Sequence, residues 1–194
     1  MTMPVTLLRS LPLATLVLAL AACSSAPPPV PTPPLPPAQV TPSVAKAEAA
    51  LASASGSIVS GRVVLLPVAQ GVRITGTIGG LRAGGSFGFH LHERGDCSAV
   101  DAASAGGHFN PTGAAHGRNA SGPHHLGDMD NLVADGEGVV QIDRVLGGVS
   151  LGGGAGNDIL GRALIVHADP DDYRSQPSGN AGARVACGII RPAR

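Results

Sequence analysis

Glycine is absent from the first 55 residues of this 194-residue chain, and all 28 glycines lie between residues 56 and 194. At roughly three times the average frequency, glycine in the second part is incompatible with long helices, which it destabilises. It suits short strands joined by tight turns. From about Val44 the hydrophobic pattern has period two: Ile58, Val63, Leu65, Val72 and Ile74 sit among Ser, Gly and Arg. Val139-Val140-Gln141-Ile142 and Leu164-Ile165-Val166 are β-branched runs bounded by turn residues, and Asp135-Gly136 is a turn signal. These features predict an antiparallel all-β sandwich or barrel. With no Trp, three Phe and one Tyr, its core must be aliphatic. The stretch Gly147 to Gly156 reads as a mobile loop.

The glycine-free part is of another kind. Arg9, the apolar run Leu11 to Leu20 and the pair Ala21-Ala22 have the layout of a secretory signal over residues 1–22, too short for a comfortable membrane span. Leu20-Ala21-Ala22-Cys23 resembles a bacterial lipoprotein box, with Cys23 lipidated at the mature N-terminus; an ordinary signal cleaved at a small residue is the alternative. Nine of the 17 prolines then fall between residues 27 and 42. Such a tract favours extended polyproline conformation, so residues 23–45 read as a spacer between a membrane anchor and a domain over residues 46–194. An exported lipoprotein on the periplasmic side of a membrane is expected, with the outer membrane and the cell surface among the places open to it. Charge excludes other partners: 13 basic and 13 acidic residues leave no net charge and no basic field for nucleic acid.

The chemistry lies in histidine. All seven histidines fall between residues 90 and 167. His90 and His92, spaced i, i+2, share one face of a strand, a two-nitrogen grip on a borderline metal ion. His108, His116, His124, His125 and His167 follow, with Asp128 three residues beyond His125. A lone histidine is usually a packed or surface residue, but several chain regions each offering a nitrogen or a carboxylate favour a metal centre. Cys97 and Cys187 flank this region and read as a disulfide in an exported chain, with thiolate ligation the weaker alternative.

Five blocks carry a family resemblance: Gly88 to Cys97 (GFHLHERGDC), Gly106 to Pro111 (GGHFNP), His125 to Asp128 (HLGD), Ala163 to His167 (ALIVH) and Gly179 to Gly188 (GNAGARVACG). In this order they resemble copper/zinc superoxide dismutases of the bacterial exported type, over about residues 47–191. The resemblance implies an eight-stranded Greek-key β-barrel with long metal-binding loops. One copper per subunit is expected on His90, His92, His108 and His167, and one zinc on His108, His116, His125 and Asp128, with His108 bridging the two. It also implies a Cys97–Cys187 disulfide. Arg184 matches the arginine that holds superoxide beside copper. Asp171 matches the carboxylate joining a copper-bound to a zinc-bound histidine, although Asp169 and Asp172 lie close enough to take that part. His124 has no implied role and reads as a solvated neighbour.

The implied reaction is dismutation of superoxide to dioxygen and hydrogen peroxide as copper alternates its oxidation state. With Lys46 the only lysine, steering of the anion would fall on Arg184, Arg94, Arg118 or Arg174, giving a positive but shallow funnel. A metal-buffering module of the same fold without turnover is the alternative, and a structural envelope lipoprotein is a third reading that leaves the histidines unexplained. Monomer and homodimer both fit.

Overall fold

A computed structural model describes residues 44–119 and 121–194. The expected signal peptide, Cys23 and proline spacer lie outside the described residues. Among the described residues ten strands follow in chain order: β1 (Ala47–Ser53), β2 (Ser60–Val68), β3 (Gly71–Gly79), β4 (Ser86–Phe87), β5 (Phe89–His92), β6 (Leu132–Val133), β7 (Val140–Gly147), β8 (Ala163–His167), β9 (Arg184–Ile189) and β10 (Arg191–Pro192). The one helical element described is a 3-10 turn at Ala103–Ala105.

Seven strands pair antiparallel in the order β5-β8-β9-β1-β2-β3-β7, β10 adds to β1, and β4 pairs separately with β6. The chain therefore crosses from β3 to β5 at the far edge, and again from β7 to β8, which is the Greek-key route. Hydrophobic alternation dictates the inner face: Ala47, Ala49 and Leu51 on β1, Val63 and Leu65 on β2, Val72, Ile74 and Ile78 on β3 are buried. Phe89 and Leu91 of β5 share one core with Val140, Ile142 and Leu146 of β7, although these strands stand at opposite ends of the pairing order. The sheet must therefore curl around that core, and the β4–β6 pair, its ladder extended by Ala134 N–H to Gly85 O (2.9 Å), packs Phe87 and Leu132 against the same core.

Two local expectations change. Ile58 is not part of a strand and is 80% exposed; it sits in the short connection between the turn at residues 55–56 and β2, where no ladder imposes the period. The Gly147 to Gly156 stretch is tied down instead of free: Val149 and Leu151 are buried, and the Asp158 carboxylate accepts the N–H groups of Gly152 and Gly154, each at 2.8 Å. The strand count exceeds eight because β10 is a short addition and Gly88 divides β4 from β5. Gly88 donates its N–H to Asp169 O and accepts the His167 N–H, and a Cβ there would come 2.8 Å from that of Ala181. Only glycine lets the loop after β8 approach so closely.

Strand β8 is buried throughout. Leu164 and Val166 enter the main core, while Ala163 and Ile165 face a second cluster with Ala54, Ala102, Ala105 and Cys187, against which Cys97 packs. The Cys97–Cys187 disulfide, spanning 90 residues with Cα atoms 5.8 Å apart, pins the loop after β5 to β9. Replacing both cysteines by serine should lower unfolding free energy by roughly 2 to 5 kcal/mol, the range for such bonds. Urea unfolding of the metal-free protein checks this; an unchanged midpoint would contradict it.

Candidate metal centre

β5 faces two ways. Phe89 and Leu91 point into the main core, so alternation sends His90 and His92 to the opposite face, as their spacing predicts. One edge of β5 pairs with β8, and the other receives loop backbone: Leu91 N–H donates to Gly127 O (2.9 Å), and Phe109 N–H donates to Leu91 O (2.8 Å). The resulting bridges place His108 opposite His92 and Asp128 opposite His90. His167 arrives from the end of β8. Two buried groups result, His90, His92, His108 and His167, and His108, His116, His125 and Asp128, with the ligating atoms of each group within 4.8 Å of one another.

Three rings of the first group have one nitrogen anchored on the outside. His90 Nε2 meets Asp171 Oδ2 at 2.8 Å, His92 Nδ1 meets Gly106 O at 2.9 Å, and His167 Nδ1 meets Gly182 O at 3.2 Å. The other nitrogens, His90 Nδ1, His92 Nε2, His108 Nε2 and His167 Nε2, are buried with no hydrogen-bond partner. Four orphaned lone-pair atoms converging in one place would be costly in a finished core. They suit a metal that favours imidazole. In the second group His108, His116 and His125 turn Nδ1 towards Asp128 Oδ1, at 2.8, 3.1 and 3.1 Å. His116 Nδ1 reaches that distance without hydrogen-bonding geometry, as expected of converging ligands. Three imidazoles and a carboxylate form an ordinary tetrahedral zinc set. His108 belongs to both groups, Nε2 facing one and Nδ1 the other.

Electrostatics prepares the first group for a cation. Burial, aided by neighbouring histidines, lowers His90 to about 4 and His167 to about 3, and pushes His92 well below its ordinary value. Their rings are therefore neutral, the state that binds metal. At His116 burial opposes the charged form, but Asp128 and Asp171 outweigh it and raise the ring to about 9, so a metal there displaces a proton. Burial works to raise the Asp128 and Asp171 carboxyls too, yet hydrogen bonds from histidines and backbone N–H groups hold both well below the usual range.

Asp171 spans the two groups, with Oδ2 at His90 and Oδ1 at His116 Nε2 (3.0 Å). Of the three nearby carboxylates it is the buried one, while Asp169 and Asp172 are exposed. Gly179 makes the room: its φ is +68°, and a Cβ would overlap Asp171 Oδ1. Arg184 donates to Ala102 O (2.6 Å) and Gly106 O (2.7 Å), and Gly106 O is also the anchor of His92. Arg118 is committed elsewhere, to Asp130 at 3.0 Å and over the Tyr173 ring, and Arg94 reaches Glu93 at 3.5 Å. Of these three, Arg184 is the one held beside the first group, through the carbonyl that anchors His92. His124 is half-buried, with Nδ1 at Gly122 O (2.9 Å), and belongs to neither group. The sequence reading missed the carbonyls of Ala102, Gly106 and Gly182, which no side-chain pattern announces.

A family model described as copper/zinc superoxide dismutase matches residues 59–190. Superoxide dismutase Cu-Zn 2 of Aquifex aeolicus is 44% identical over 137 residues, covering 69% of this chain and 80% of the relative. The superoxide dismutase-like protein YojM of Bacillus subtilis is 42% identical over 124 residues, 62% of this chain and 63% of that protein. In fold, the crystal structure of a SOD-like protein from Bacillus subtilis aligns with TM-score 0.67 at 38% identity, covering 73% of this chain and 95% of the other. Sequence and fold likeness fall on the same domain that carries the paired ligand groups, and the chain belongs to the copper/zinc superoxide dismutase family, oxidoreductases whose cofactors are copper and zinc.

Proposed function

We propose that the folded domain dismutates superoxide to dioxygen and hydrogen peroxide, with copper held by His90, His92, His108 and His167 and zinc by His108, His116, His125 and Asp128. The observation carrying this reading is His108, whose two ring nitrogens each face a separate buried ligand group. When bound, copper supplies the one-electron redox chemistry, and zinc, with no accessible second oxidation state, supplies charge that polarises the shared ring.

The chain's own residues do the rest. Arg184 offers a fixed guanidinium to a small anion, and the carbonyls of Ala102 and Gly106 spare it the entropy of finding its position. His108 Nε2 is the buried atom at which the site can hold and pass on a proton, because Nδ1 is kept on the zinc side. Asp171 keeps His90 and His116 turned with Nδ1 inward. Near-complete burial of the ligands keeps bulk water from competing.

The N-terminal sequence supports export, with residues 1–22 as signal, Cys23 as the lipidated residue and residues 23–45 as a spacer, so that the enzyme protects the cell envelope. Intact mass of the exported protein tests it: diacylglyceryl and acyl groups on Cys23 are expected, and an unmodified N-terminus would contradict the anchor. One relative is named only superoxide dismutase-like, which favours a second reading, metal buffering without turnover. A buffer, however, needs neither a shared ring nor a seated arginine.

The metal-replete domain should bind one copper and one zinc and remove superoxide, and His108→Ala should lose at least about a hundredfold in rate, as when a group acting on the proton is deleted. Equal copper and zinc without superoxide removal would support the buffer. Asp171→Asn should weaken zinc binding by roughly 10- to 100-fold, measured by chelator competition; unchanged affinity would remove its orienting role. The rate should fall as ionic strength rises through the range where the Debye length shrinks to about 10 Å, and Arg184→Ala should flatten that dependence. A wild-type rate indifferent to salt would reject attractive steering.

A further inference from the structure

The connection between the two ligand groups passes through His116 and Asp171, which come from different loops, 55 residues apart. Neither lies on a strand, so sheet pairing does not hold them. Each is gripped by a side-chain amide of the opposite loop. Asn131, just before β6, accepts the Asp171 N–H at Oδ1 and donates from Nδ2 to the Asp171 carbonyl, both at 2.9 Å. Gln176, farther along the Asp171 loop, accepts the His116 N–H at Oε1 and donates from Nε2 to the His116 carbonyl, both again at 2.9 Å. The exchange is reciprocal: the His116 loop leads to the amide that holds Asp171, and the Asp171 loop carries the amide that holds His116.

A primary amide presents an acceptor and a donor on one plane, which matches the N–H and C=O of a single residue; a carboxylate or a hydrocarbon does not. Further bonds tie the clamps to the site. The Asn131 N–H donates to Tyr173 Oη at 2.9 Å, the Tyr173 N–H donates to Asp171 Oδ1 at 2.6 Å, and Gln176 Nε2 also reaches Arg174 O at 3.1 Å. All of these bonds form among protein atoms alone. The order they impose on His116 and Asp171 is therefore paid in folding and not charged to metal binding.

We propose that Asn131 and Gln176 are positioning residues for the zinc group: together they hold the His116 and Asp171 backbones in register before a metal arrives, so that zinc meets a prearranged site. The proposal rests on the reading of His116 as a zinc ligand. Because each clamp holds one member of the His116–Asp171 pair, loss of either loosens both.

The test uses the metal-free full chain, Zn2+ alone as probe, and the near-isosteric neutral variants Asn131→Leu, Gln176→Met and their double. Each single substitution should weaken Zn2+ binding roughly tenfold, the low end for partners that orient metal ligands, and the double should weaken it by less than the product. Hydrogen exchange of the metal-free chain supplies a readout independent of metal and activity. Gln176→Met should speed exchange of the Asp171 N–H, and Asn131→Leu that of the His116 N–H, although neither altered side chain touches the amide being read. Gln141→Met, the same change on β7 where the amide meets Thr77, should move neither quantity. Gln176 is exposed, so its variant folds even if Asn131→Leu does not, and it suffices alone. Variants with wild-type Zn2+ affinity and unchanged exchange at the distant amide overturn the clamps while leaving the zinc assignment intact. A wild-type chain that takes up no Zn2+ overturns that assignment and the proposal with it.

Discussion

Everything in this domain depends on burying six imidazoles against one another while leaving a ring nitrogen on five of them without a hydrogen-bond partner. Imidazoles packed with His90 and His108 ring centroids only 4.0 Å apart repel once protonated, and their burial weakens screening by solvent. The fold resolves this from outside. Gly106 O, Gly182 O and Asp171 take the outer nitrogens of His92, His167 and His90, which fixes each ring's orientation and turns the remaining lone pair inward. The cost of the unpartnered atoms is then a reservoir of affinity for a cation, and neutral rings are in the state that uses it.

Placement of these groups follows from the sheet. β8 is buried on both faces, one against the aliphatic core and the other against the small cluster under the disulfide. β5 beside it inherits that division, so its hydrophobic residues and its histidines separate by simple alternation. The loop bearing His108 and Asp128 joins β5 by backbone pairing, so most ligands reach the site from regular or nearly regular structure. The disulfide serves function through the same geometry: the loop that it pins supplies the carbonyls of Ala102 and Gly106, and these seat Arg184. Loss of that seat would free Arg184 and, through Gly106 O, take away the anchor of His92.

Much of the site was legible because it is built from residue types with narrow uses. Six histidines and Asp128 at family spacing mark the residues that the fold gathers into the two groups, and the i, i+2 pair on β5 follows from strand alternation alone. Asp171 was one of three plausible carboxylates, and burial distinguished it: sequence shows the acidic run but not which member a glycine at 179 leaves room for. Ile58 misleads because an apolar residue two positions before a strand looks the same as one within it until the ladder is known. The Gly147 to Gly156 loop misled because glycine content measures freedom in the unfolded chain, whereas the Asp158 carboxylate that gathers the loop lies outside the glycine run. Asn131 and Gln176 gave no signal at all, since their partners are backbone atoms far away in sequence.

The central claim is that the His108 ring lies between two different ions, one redox-active and one not. Anomalous diffraction from crystals of the loaded protein, collected on either side of the copper and zinc absorption edges, tests it most directly. The account predicts two peaks on opposite sides of that ring, copper beside Nε2 and zinc beside Nδ1. A single peak, or two peaks of the same element, would contradict it.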